Sequence, residues 1–179
     1  FIQRSIPLDI PNFFEGLNEA YRLDPDIVVT DSISYTDALD QAFFLCESGI
    51  LVIGLTSGED SQKILERLIF SRQKDQREAL REKLISHLSM VICQKLVTCL
   101  NNKRAAAFDL VVNTPLVKNV LKGDNLGMIK NLQDQDKEWG MMTFEKCLRG
   151  MINKLMITPA TAAAFFGENS EIAGKFVKK

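Results

Sequence analysis

A chain of 179 residues suffices for one solid domain, or one domain with a small appendage. Its 46% hydrophobic and 25% charged residues are ordinary for a globular protein, and Lys+Arg 22 against Asp+Glu 23 leaves no basic excess to argue for nucleic acid. The four cysteines (Cys46, Cys93, Cys99, Cys147) are scattered along expected apolar helix faces, His87 is the sole histidine, and no CxxC pair occurs, which suggests neither a zinc site nor a disulfide framework and fits a reducing cytoplasm. No apolar run approaches the ~18 residues of a membrane span, and no signal peptide is visible. A start at Phe1 without methionine is what a piece of a longer protein would show.

Residues 1–11 carry spaced apolar side chains (Ile2, Ile6, Leu8, Ile10) and two prolines, which predicts an edge strand or an extended lead-in. Asn12 is placed to cap a short helix, with Glu15 in the capping-box position and Phe13, Leu17, Ala20 and Tyr21 as its buried stripe. Asp24-Pro25 ends it. Residues 27–29 and 50–55 are short apolar runs rich in β-branched side chains and predict buried parallel strands. Between them Ala38, Leu39, Ala42, Phe43 and Cys46 recur at helical spacing, and Gly49 supplies the stop. Strand, helix and strand make a βαβ unit of the right-handed kind. In such sheets chemistry sits beyond the carboxyl ends of the strands, here residues 30–32 and 56–58.

Thr56-Ser57-Gly58-Glu59 reads as a second capping box, opening a helix that runs to Phe70. Residues 71–77 predict a loop, and Leu80, Leu84, Leu88, Val91, Ile92 and Leu96 predict one long helix over 78–100. Asn101-Asn102 is a turn and 105–112 a further strand. Thr114 and Pro115 then suit the N-cap and first position of a helix over 115–122, stopped by Gly123. Helices follow over 126–132, over 143–155, and from Thr158-Pro159 to Gly167, with a polar, loose tail. This predicts an α/β portion over residues 1–112 and a helical subdomain over 113–179.

An α/β nucleotide hydrolase needs a phosphate-cradling GxxxxGK[ST] and strand-end carboxylates for magnesium and water. The chain has no GxxxxGK[ST], and Asp24 and Asp26 precede the strand at 27–29. Only Asp31 stands at its carboxyl end; it is the single candidate metal or ligand contact, against an ordinary loop-capping role. His87 lies beside Leu84 and Leu88 with no triad partner at a telling spacing, and Ser57 and Ser61 have no visible base. Glu59 and Asp60 are favourable charges at a helix start, and the mixed charges of 72–83 form a solvated face.

The order of the pieces resembles the type II/type IV secretion-system ATPases, in particular their pilus-retraction, twitching-motility branch. Asp24-Pro25-Asp26-Ile27-Val28-Val29 looks like the approach to Walker B, and Leu51-Val52-Ile53-Gly54 like the strand of the histidine box, with Lys63 and Glu66-Arg67 on the helix after it. Val91-Ile92-Cys93-Gln94 is similar to the family's "ISQ" helix. Residues 105–112 and Thr114-Pro115-Leu116-Val117-Lys118-Asn119-Val120-Leu121-Lys122 look like the retraction motif, and Gly140-Met141-Met142-Thr143-Phe144-Glu145 like "GMQTLD".

The resemblance implies a RecA-like P-loop NTPase core, partial here, with a C-terminal helical subdomain. It implies ATP and magnesium in the family, a hexameric ring, platform proteins of the inner membrane as partners, and a cytoplasmic or peripheral membrane location. At the family's Walker B glycine and glutamate this chain has Asp31 and Ser32, and at the two histidine-box histidines Ile50 and Ser57. Serine cannot take a proton from water near neutral pH as a carboxylate can. No cofactor is therefore expected for this chain by itself. The implied role is a non-hydrolysing relative acting in pilus assembly or regulation, with Lys118, Asn119 and Lys122 as the partner face. The alternatives are an active motor subunit whose nucleotide-binding half lies upstream, and an α/β interaction domain that has left the pilus system.

Overall fold

The structure, a computed structural model, describes residues 1–34, 36–135, 138–167 and 170–177. The chain packs as two compact units, Phe1–Gly58 with Lys63–Leu88, and Glu59–Gln62 with Ser89–Lys179. The change of packing thus falls at Leu88, and the strand ending at Val112 packs with the helices that follow it.

In the first unit, residues 1–11 form no strand. Ser5 N–H donates to the Asp9 carboxylate at 2.8 Å and Asp9 N–H to the Ser5 carbonyl at 2.8 Å, closing a turn across the cis Ile6–Pro7 bond. The turn satisfies locally the backbone groups an edge strand would have paired. Helix α1, Phe13–Arg22, starts as expected, with Asn12 Oδ1 accepting from Glu15 N–H at 2.9 Å. Leu17 is buried and Phe13 and Ala20 pack around it, but Tyr21 is exposed against Phe44. Strand β1, Ile27–Thr30, pairs in parallel with β2, Leu51–Gly54, through the crossover helix α2, Thr36–Glu47. Gly49 takes φ +90 after α2, a left-handed stop that favours glycine.

The strands are not buried on both faces. Val28 faces the core with Leu17, Ala38, Leu45 and Ile50, while Ile27, Val29, Leu51 and Ile53 are exposed, Val29 by 63%. The apolar run therefore marks a two-faced sheet of which one face alone is covered within its own unit. Helix α3, Ser61–Phe70, begins five residues after Thr56, not at a Thr56/Glu59 capping box. The Thr56 and Ser57 hydroxyls are engaged instead by Arg67. A short 3-10 turn, Lys74–Gln76, leads into α4, Arg77–His87.

The expected long helix over 78–100 is divided. At Leu88 the backbone turns extended (ψ 129), and Met90–Thr98 is strand β3, antiparallel to β4, Arg104–Val112. The segment resembling the "ISQ" helix is therefore a strand. Met90–Val97 is β-branched-rich and alternates buried with exposed positions except at Lys95, and the hairpin partner tips it from period 3.6 to period 2. Cys93 lies on this strand and Cys99 just beyond it, while Cys46 and Cys147 are on helices.

The second unit continues with α5, Pro115–Lys122, capped by Thr114 and ended at Gly123 as expected. Helix α6 is Met128–Gln135, and α7, Phe144–Asn153, is capped by Thr143; both are offset from the predicted spans. Leu155, the predicted last residue of α7, is 80% exposed at φ +55 in the turn beyond it. Helix α8, Pro159–Phe166, has Thr158 as cap. The polar tail is not loose through residue 177: α9, Glu171–Val177, buries Ala173 and Phe176 and stacks Phe176 on Phe166. Lys178 and Lys179 lie outside the described residues.

Candidate functional site at the strand ends

The carboxyl ends of β1 and β2 are joined by backbone bonds, Leu55 N–H to the Thr30 carbonyl at 2.9 Å and Ile33 N–H to the Leu55 carbonyl at 3.0 Å. This places the residues after both strands side by side. Gly54 has no room for a side chain, since a Cβ would lie 2.4 Å from Cγ2 of Ile33. Asp31 is exposed in the turn after β1. Ser32 is half-buried, and its Oγ accepts from Ser34 N–H at 3.2 Å.

Ser34 Oγ lies 3.2 Å from Thr56 Oγ1. Arg67, reaching back from α3, donates one guanidinium N–H to Ser57 Oγ at 2.9 Å and another to Thr56 Oγ1. The result is an open rim of hydroxyls with one cation. It can hold hydrogen-bonded water or an anion, but Ser57 accepts from a permanently charged group, which cannot act as its general base. Asp24 and Asp26 stand at the opposite, amino end of β1, with the Asp26 carbonyl accepting from Leu51 N–H at 3.0 Å.

The residues at the two histidine-box positions are not brought together. Ser57 is at the exposed rim, whereas Ile50 is a buried core residue before β2. Strand β2 and the two residues after it lie between them. On α5, Val117 and Leu121 turn inward and Leu116 is exposed. The outward face carries Leu116, Asn119 and Lys122, with Lys118 half-buried at its margin.

A second polar cluster was not anticipated. Asp109 on β4 is 2% exposed, and its Oδ1 accepts from Ser61 N–H at 3.1 Å, from the Ser61 hydroxyl, and from Gln133 Nε2 at 3.1 Å. Its Oδ2 accepts from Phe144 N–H at 3.3 Å, so one carboxylate receives the first N–H groups of both α3 and α7. Ser61 thus has a carboxylate beside it, but it is fully buried and cannot meet a substrate. Cys93 is paired in register with Asp109; burial first, then the charges of Asp109 and Asp60, pushes its thiol up to about 11. The sequence signal was a lone acid in the apolar run AAAFDLVV.

Among the described residues no His/Cys/Asp/Glu cluster could hold a metal ion, and no helix is long and apolar enough to cross a membrane. His87 stands at the end of α4, its Nε2 3.9 Å from Glu47, away from the strand-end rim.

A parallel pair joined by a crossover helix, followed by an antiparallel hairpin and short capped helices, fits a partial RecA-like P-loop fold. The solved pilus retraction motor PilT with bound ADP shares it at a TM-score of 0.82 and 22% identity, over 95% of this chain and 47% of that one. The Legionella pneumophila ATPase DotB shares it at 0.80 and 18%, over 93% and 45%. In sequence, the chain is similar to the type IV pilus retraction ATPase PilT of Pseudomonas aeruginosa, 27% identical over 89% of this chain and 46% of that protein. It is 26% identical to the twitching motility protein of Neisseria gonorrhoeae, over 94% and 45%. The chain is thus similar to PilT and its relatives among the type II/type IV secretion ATPases, and it spans just under half the length of the curated relatives it matches. No protein-family model matches it.

Proposed function

We propose that the chain is one part of a PilT-like pilus or secretion motor whose catalytic centre is degraded, and that it acts by assembly and contact rather than by hydrolysing ATP. The observation that carries this reading is the strand-end rim. Where the family resemblance asks for a glutamate and for histidines, this chain has Ser32, Ser57 and the buried Ile50, and Arg67 occupies the hydroxyls. Asp31 is the remaining carboxylate there. It stands one residue early, and a misplacement of about 1 Å can cost on the order of a hundredfold in rate.

Exposed apolar strand faces support the reading of a partial core. Ile27, Val29, Leu51 and Ile53 on one sheet, and Met90, Ile92 and Leu96 on the other, are the kind of surface a further layer of an ATPase fold would cover. Those faces equally favour the second reading, a working ATPase subunit whose nucleotide-binding half is in other residues of the full protein. Oligomers of this chain, and inner-membrane platform proteins as partners of the α5 face, complete the proposal. No resident cofactor is part of it.

The two readings part in the full protein that contains these residues: the proposal expects no phosphate release with ATP and magnesium, the second reading multiple turnover. Residues 1–179 are expected to show no turnover and to bind ATP at millimolar affinity or weaker. Multiple turnover that vanishes in Asp31→Ala would overturn the proposal and make Asp31 the catalytic carboxylate. For the partner face, Lys118→Glu with Lys122→Glu is expected to abolish platform-protein binding while circular dichroism stays unchanged; Lys122 is exposed and Lys118 half-buried.

A further inference from the structure

The hairpin of β3 and β4 and the turn beyond α7 meet at one end of the second unit. Cys99 N–H donates to the Lys103 carbonyl at 2.7 Å, which closes the hairpin, and Leu100 N–H donates to the Met156 carbonyl at 2.9 Å. The tip so formed holds large apolar side chains in water: Leu155 is 80% exposed, Leu100 60% and Met156 36%. Leu155 stands there at φ +55, a left-handed conformation that glycine adopts freely and a bulky side chain adopts at a cost. At its exposure it gains little burial to offset that cost. The charge around these leucines has one sign. Residues 83–108 and 146–167 contain no Asp or Glu, and Lys103, Arg104 and Lys154 are exposed in the same two segments.

We infer that this tip is a membrane-surface contact, in which Leu100 and Leu155 enter the headgroup boundary of an anionic lipid surface and Lys103, Arg104 and Lys154 meet its phosphates. Protruding apolar side chains leave water on entering the acyl region, and cations beside them are drawn by the negative surface potential. A folded protein partner would need a pocket shaped for two leucines on separate turns. A fluid lipid surface takes protruding side chains at any spacing, and an acid-free surround suits its charge. The contact lies on the membrane and does not cross it, and so small a set of anchors holds reversibly. It stands apart from the strand-end rim and from the α5 face, and depends on neither.

Co-sedimentation of the full protein that contains these residues with lipid vesicles tests it, using phosphatidylcholine alone or with about 30% phosphatidylglycerol to supply the negative surface. Binding to the anionic vesicles at about 50 mM salt, weakened at about 500 mM, is expected, with little binding to the neutral ones. Lys103→Glu with Lys154→Glu should weaken it about tenfold or more, while Lys74→Glu, an equal reversal at an exposed site of the other unit, should not. Leu155→Gly should weaken it about threefold or more without lowering the Tm, because glycine relieves the left-handed backbone. Leu100→Ser, where no such backbone is involved, should weaken it to a similar degree with circular dichroism unchanged.

No binding to the anionic vesicles, or equal binding to the neutral ones, overturns the inference. So does binding that the double reversal leaves unchanged, or that both leucine variants leave unchanged.

Discussion

At the ends of β1 and β2, Ser34, Thr56, Ser57 and Arg67 hydrogen-bond to one another in contact with water. Around Asp109, a carboxylate, the Ser61 hydroxyl and the Gln133 amide are sealed between two strands and the starts of two helices. The side-chain types overlap, but the energetics do not. At the rim, water replaces any lost partner, so the residues are free to be exchanged and a catalytic set can decay without unfolding the chain. At Asp109 a lost partner leaves buried donors unpaired, which costs the full desolvation of each. Chemistry was expected at the rim; the structural demand is greatest at the buried node.

The largest test of that contrast is Asp109→Ala. It strands the Ser61 and Phe144 N–H groups and the Gln133 amide, and a loss of about 3 kcal/mol or more is expected in urea unfolding. A loss below about 1 kcal/mol would mean that the node holds nothing together. Gln133→Leu comes next. Its Nε2 also donates to the carbonyls of Leu110 and Met142 at 3.1 and 3.0 Å, while its Oε1 is buried without a partner. Removing the donor and the orphan acceptor together should cost about 1 kcal/mol, and a loss as large as that of Asp109→Ala would move the centre of the node to the amide.

Cys93 sharpens the comparison through pH. Folding holds its proton more tightly than the unfolded chain does, so its contribution to stability is full below the ordinary value near 9 and is lost as pH rises through about 11. Stability of the wild type should therefore fall more steeply across that window than that of Cys93→Ala. Equal slopes would show that Cys93 is not shielded by the node. The smallest effect is expected at the rim itself. Arg67→Ala removes two exposed hydrogen bonds and should change stability by under about 0.5 kcal/mol in thermal melts; a loss above about 1 kcal/mol would make the rim structural as well.

What was legible in the sequence was local. Asn12 and Thr114 cap the helices they were expected to cap, because a cap is a bond between a side chain and a backbone N–H three residues on. The βαβ unit was legible for the same reason: β-branched runs, a helical stripe and Gly49 each state their conformation within a few residues. Asp31 at the carboxyl end of β1 followed from those elements.

Other features were settled by contacts distant in sequence. Met90–Thr98 is a strand because Arg104–Val112 lies beside it, and its composition tolerates either period. Thr56 does not cap α3, which begins at Ser61, and its hydroxyl accepts instead from Arg67, eleven residues on. The placement of Asp109 between Ser61 and Gln133 depends on partners 48 and 24 residues away, and no local spacing records them. Short-range hydrogen bonds are written in neighbouring residues, whereas burial and strand pairing are properties of the packed chain, and at Met90–Thr98 and Asp109 it was packing that decided the outcome.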